Sequence, residues 1–82
     1  MSRDDVDRTV REVLATVLGR RISSGEGVHR AHEAAWDSLA HVNMVFSIES
    51  ELGIQFGAEE LDALDSVEKL VDAAHAHLRA SA

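Results

Sequence analysis

The chain has 82 residues and carries fifteen Asp and Glu against eight Lys and Arg, a formal net charge of −7. That length is one domain near the size at which a single core only just outweighs chain entropy, and the acidity repels phosphate backbones and anionic lipid surfaces. Nucleic acid and membranes are thus not expected as partners. The absence of Cys excludes a disulfide framework, a thiolate nucleophile and a Cys-based zinc site.

Aromatics are limited to one Trp and two Phe, Pro is absent, and Val, Leu, Ile and Ala carry the apolar share, which favours helices over a sheet. The charged start "MSRDDVDRTV" is unlike a signal peptide, and the apolar runs are too short for a membrane span. A cytoplasmic monomer is the expectation.

In chain order, Val6, Val10, Val13, Leu14, Val17 and Leu18 fall on one face of a first helix. Ser2 with Asp5 three residues on reads as its N-terminal cap, and Gly19 suits the C-terminal reversal. From Gly19 to Ala35 no periodicity is sustained, so a long loop is expected, with Ile22 and Val28 pinning it to the core. A second helix runs from about Ser38 to Leu52, capped by Asp37 and ended by Gly53. Ile54-Gln55-Phe56 then reads as an extended connector and Ala58 to Leu64 as a short acidic helix. Ser66 caps a last helix with Val67, Leu70, Val71, Ala74 and Leu78 on one face. The alanine-rich tail beyond Leu78 is expected to fray. The fold class is therefore all-α: a small bundle of three principal helices plus one short helix, with a long loop between the first two.

The second helix carries two apolar stripes. With Leu39 at zero and about 100° per residue, Met44, Val45, Ile48 and Leu52 fall between about 140° and 240°. Val42 and Phe46 fall at about 300° and 340°, beside Leu39 and nearly opposite that stripe. Either loop or short helix covers this second stripe, or it is an exposed docking strip. The longer stripe is the better core candidate. Ser38 stands at the first helical position, where unpaired backbone N–H groups favour a bound anion or phosphoester.

Other constellations are weaker. Asp37, Ser38 and His41 have the residue types of a hydrolase triad, yet adjacent positions on one helix orient poorly for a relay, and no Gly-rich elbow surrounds the serine. His29 with His32, and His75 with His77, invite a metal reading, which solvated side chains explain more simply. Trp36 either packs beside Ser38 or braces the loop, and bracing is preferred.

Together, the long loop, "WDSL" at a helix start, "IESELGI" at its end, the acidic short helix and the capped last helix resemble an acyl carrier protein over essentially the whole chain, residues 1–82. The centre of the likeness is Asp37-Ser38-Leu39, which matches the family's attachment motif. The resemblance implies that 4′-phosphopantetheine from coenzyme A is esterified to Ser38 and that its thiol carries acyl groups as thioesters. It also implies that the chain is no enzyme but a substrate of a phosphopantetheinyl transferase, with Asp37 capping the helix and assisting that transferase. Leu39, Val42, Asn43, Phe46, Glu49 and Glu51 would then meet partner enzymes, such as an acyltransferase or ketosynthase, through basic docking surfaces. Asn43 stands where carriers of fatty-acid synthesis usually have an acidic residue, so "WDSLAHVN" looks more like discrete carriers of polyketide or other specialised biosynthesis. The alternatives are an aminoacyl or peptidyl carrier and an unmodified helical interaction module.

Overall fold

In the computed structural model, which describes residues 1–81, the element order is α1 (Arg3–Leu18), a short 3₁₀ helix η1 (Arg30–His32), α2 (Ser38–Leu52), a second 3₁₀ helix η2 (Ala58–Ala63) and α3 (Val67–Ser81). No strand occurs among these residues, and the expected all-α bundle is what is observed. α1 packs against both α2 and α3, which touch each other less. The reason lies in the stripes: Val6, Val10, Leu14 and Leu18 of α1 are buried against Met44, Ile48 and Leu52 of α2 and Val67, Leu70, Val71 and Ala74 of α3. Each such Val, Leu, Ile or Met side chain contributes roughly 1.5–3 kcal/mol by leaving water, which is how so small a chain sustains a core.

The helix ends are closed by the residues expected to close them. Ser2 and Asp5 form a reciprocal capping box, with Asp5 N–H donating to Ser2 Oγ at 3.2 Å and Ser2 N–H to Asp5 Oδ2 at 3.1 Å. Ser66 Oγ accepts from Lys69 N–H at 3.1 Å at the head of α3. Gly53 ends α2 in the left-handed region, φ 67°, where a side chain would crowd the carbonyl.

Two expectations are corrected. The segment between α1 and α2 is not structureless. It contains η1, and it is tied to the head of α3 by Arg30 N–H donating to Asp65 O at 2.8 Å and Val67 N–H to Val28 O at 3.0 Å. Val28 is buried and Ile22 half-buried against the core, as pins. What periodicity could not reveal is Arg11, a buried cation on α1 that pairs with Asp7 at 2.6 Å and donates to the carbonyls of Ser23 at 3.0 Å and Glu26 at 2.6 Å. Arg20 adds ion pairs to Glu26 and Glu33 at 2.9 and 3.0 Å. The second correction concerns the tail: α3 stays helical beyond Leu78 to Ser81, consistent with the high helix propensity of Ala and with Arg79 near the negative end of the helix dipole. Ala82 lies outside the described residues.

Candidate functional site

The head of α2 is built by Asp37. Its backbone is extended, φ −90° and ψ −173°, and its Oδ1 accepts the N–H of Ala40 at 2.8 Å, while its carbonyl accepts the N–H of His41 at 2.9 Å. Ser38 follows as the first helical residue, and its side chain is exposed. A helix leaves its first N–H groups without intrahelical partners, so the space in front of Ser38 favours negative charge. Asp37 is itself exposed, and its side chain points back into the first turn as a cap.

The two stripes of α2 separate as the angles require. Met44, Val45, Ile48 and Leu52 are buried, whereas Leu39 is 70% exposed, Val42 49% and Phe46 66%. Among the described residues these three are the large exposed apolar side chains apart from Met1. Neither the loop nor η2 covers the strip. It runs from beside Ser38 along about 12 Å of helix axis to Phe46, at 1.5 Å per residue. Next to it lies a small cavity of about 130 Å³ lined by His41, Val42, Val45, Phe46, Glu49, Phe56 and Leu61. A larger groove of about 690 Å³ lies between α1 and the loop, lined by Asp4, Asp7, Arg8, Arg11, Glu12, Ala15, Arg21, Ile22 and Ser24. None of these residues belongs to α2.

The polar residues expected to meet partners divide. Asn43 is exposed beside the strip. Glu49 is only half exposed and its Oε2 accepts the N–H of Phe56 at 2.8 Å, so it anchors the connector after α2 as well as lining the cavity. Glu51 is exposed on the other flank, lining a groove toward α1 with Thr9, Glu12, Val13, Thr16, Val17 and Ser47.

His41, considered in sequence only as a member of an unworkable triad, is buried. It receives the indole N–H of Trp36 at Nδ1, 3.0 Å, and its Nε2 meets the Leu61 carbonyl at 2.8 Å. Trp36 is 3% exposed, so it braces the bundle and does not lie along the surface beside Ser38. The signal available in sequence was a Trp and a His five residues apart across a helix start, a spacing that no periodicity rule singles out. Elsewhere, His77 Nε2 contacts both carboxylate oxygens of Glu60 at 3.0 and 3.1 Å, joining α3 to η2. Glu60 also accepts Gly57 N–H at 2.9 Å, and chiefly for that reason its carboxyl is held below the ordinary glutamate value. The rings of His29 and His32 lie 6.0 Å apart, and among the described residues no group of three His, Asp or Glu side chains could hold a metal ion.

A helical bundle with an exposed serine at the head of α2 and an uncovered apolar strip leading from it is the architecture expected of a carrier. The family model described as the phosphopantetheine attachment site matches residues 8–74. The chain thus belongs to the family of phosphopantetheine-binding carrier proteins, whose members are modified with covalent 4′-phosphopantetheine by a transferase and are not themselves enzymes. Over 60 residues it is 32% identical to D-alanyl carrier protein 1 of Lactiplantibacillus plantarum, an alignment covering 73% of this chain and 75% of that relative. Carriers of this family work in general with a phosphopantetheinyl transferase and with acyl-processing enzymes. No helix among the described residues is long and apolar enough to cross a membrane.

Proposed function

We propose that Ser38 is the residue that receives the phosphopantetheine arm, and that residues 1–82 act as one carrier domain delivering arm-borne acyl groups to partner enzymes in polyketide or other specialised biosynthesis. The observation that carries this reading is the exposed primary alcohol of Ser38 at the first position of α2. Unpaired N–H groups there suit a phosphodiester. Bound at Ser38, the arm supplies a thiol that holds cargo as a thioester. The chain's own residues do the rest. Asp37 keeps the first turn closed and leaves the Ser38 oxygen accessible; Leu39, Val42 and Phe46 offer an apolar surface that a partner can cover; Asn43 and Glu49 stand at the edge of that surface. Tethering raises the effective concentration of cargo at whichever partner is docked, without any bond chemistry by the carrier.

The likeness to a D-alanyl carrier supports a second reading of the cargo, as an aminoacyl group carried on the same arm. Loading of the modified protein by an adenylating enzyme with amino acids, against loading by an acyltransferase with acyl-coenzyme A, separates the two.

The attachment site is tested by intact mass after incubation of the unmodified protein with coenzyme A and a broad-specificity transferase. Wild type is expected to gain the mass of one phosphopantetheine and Ser38→Ala none. Equal gain in both proteins refutes Ser38 as the acceptor.

A further inference from the structure

Trp36 and His41 flank the Asp37-Ser38 pair, and the proposed function gives them no task. An indole N–H only donates and a carbonyl only accepts, so the two contacts of the imidazole fix its tautomer: Nδ1 takes the Trp36 hydrogen at 3.0 Å and Nε2–H donates to Leu61 O at 2.8 Å. The rings also lie nearly parallel, 26° between planes with centroids 6.1 Å apart. Both side chains are buried, so removing either partner leaves an unmatched polar group in the interior.

The placement of this link matters more than its strength. It joins the residue before the N-cap to a residue one turn into α2, and so closes the span from Trp36 to His41 around Ser38. Asp37 closes the same turn through Ala40 N–H at 2.8 Å. Trp36 N–H in turn donates to Glu33 O at 3.0 Å, which fixes the chain entering the span. The backbone of Ser38 is thus held from both sides, although its hydroxyl is exposed. Through Leu61 the same ring also ties the head of α2 to η2.

We propose that Trp36 and His41 are positioning residues for the modification of Ser38, His41 acting through its Nδ1 link to Trp36. This rests on Ser38 being the attachment residue. In the step they serve, Ser38 Oγ forms a bond to the pantetheine-bearing phosphorus of coenzyme A. The phosphoanhydride bond to the adenosine bisphosphate leaving group breaks, and the hydroxyl proton passes to the transferase or to solvent. Neither Trp36 nor His41 touches the reacting atoms; they set where Oγ stands when the transferase is docked.

The test is the rate of phosphopantetheine addition, followed by intact mass over a range of carrier concentrations, at a temperature where circular dichroism shows each variant folded. Trp36→Phe removes the donor. In His41→Gln the amide nitrogen reaches the place of Nε2 and leaves the indole unmet, whereas in His41→Asn the amide oxygen takes the place of Nδ1 and keeps the Trp36 link. Small misplacements of reacting groups cost rate steeply, so Trp36→Phe and His41→Gln are expected to lower kcat about tenfold with KM within about twofold, and His41→Asn to restore most of it. Unchanged kcat in the first two, or His41→Asn as slow as His41→Gln, overturns the proposal. Imidazole nitrogen shifts of wild type provide a measurement independent of any variant: the Nε2–H tautomer is expected, and the Nδ1–H tautomer overturns it. Failure of wild type to be modified, or modification of Ser38→Ala, instead refutes the attachment reading on which this one rests.

Discussion

Phe46 and Ile48 are two residues apart on α2 and have opposite surroundings: the first is exposed and the second completely buried. Truncating a buried Ile leaves a cavity and typically costs about 2–5 kcal/mol, whereas exchange of an exposed side chain away from any contact network stays within about 0.5 kcal/mol. Ile48→Ala is therefore expected to lower the urea midpoint sharply, and Phe46→Asp to leave it nearly unchanged while impairing transfer of cargo to a partner. A partner reaction that tolerates Phe46→Asp would remove the strip from the docking surface. Their placement on opposite faces was legible in the sequence, because the helical angle alone divides Met44, Val45, Ile48 and Leu52 from Leu39, Val42 and Phe46, but which face is left uncovered was not. His41 was not. An imidazole between an indole and a carbonyl depends on η2 arriving at the right place, which no local pattern encodes.

At the scale of elements, the segment between α1 and α2 shows what periodicity detects and what it misses. Its hydrophobic pins, Val28 and Ile22, were visible as isolated apolar residues in a polar stretch. Its polar anchorage was not, because Arg11 satisfies loop carbonyls from the side of α1 and such bonds have no sequence period. Arg11→Ala leaves the carbonyls of Ser23 and Glu26 without that donor and Asp7 without its partner, and is expected to cost about 2 kcal/mol. Native-state hydrogen exchange should show the loss concentrated between residues 19 and 35, with α3 protected until global unfolding. Uniform loss across the bundle would mean that Arg11 supports the core and not the loop. Arg3 of α1 also pairs with Asp72 of α3, but both are exposed and little stability is expected from that pair.

For the whole molecule, acidity and fold act together on stability. The carboxyls of Asp5, Glu26, Glu60 and Asp65 are each held below their ordinary values: Asp5 by the backbone N–H and hydroxyl of Ser2, Glu26 by Ser23 N–H and then Arg20, Glu60 by Gly57 N–H, Asp65 by Lys69. A carboxyl depressed in the folded state contributes stability that is present above its unfolded value and is lost as pH falls through the folded one. Melting temperature should thus be level near neutrality and fall as pH drops below about 4.5, the ordinary glutamate value. Glu60→Gln, which removes one of these groups, should lessen that fall; a melting temperature that rises on acidification through this range would contradict the assignment. By itself, the sequence determined the helices, their caps, the two-sided character of α2 and the serine at its head, since all of these follow from residue spacing and single-residue backbone preferences. Only the tertiary structure decided which stripe of α2 is covered, how the long loop is held, and that Trp36 and His41 close the span around Ser38. The reason is physical: burial and buried hydrogen bonds are made between segments far apart in the chain, and they exist only once the three helices are packed.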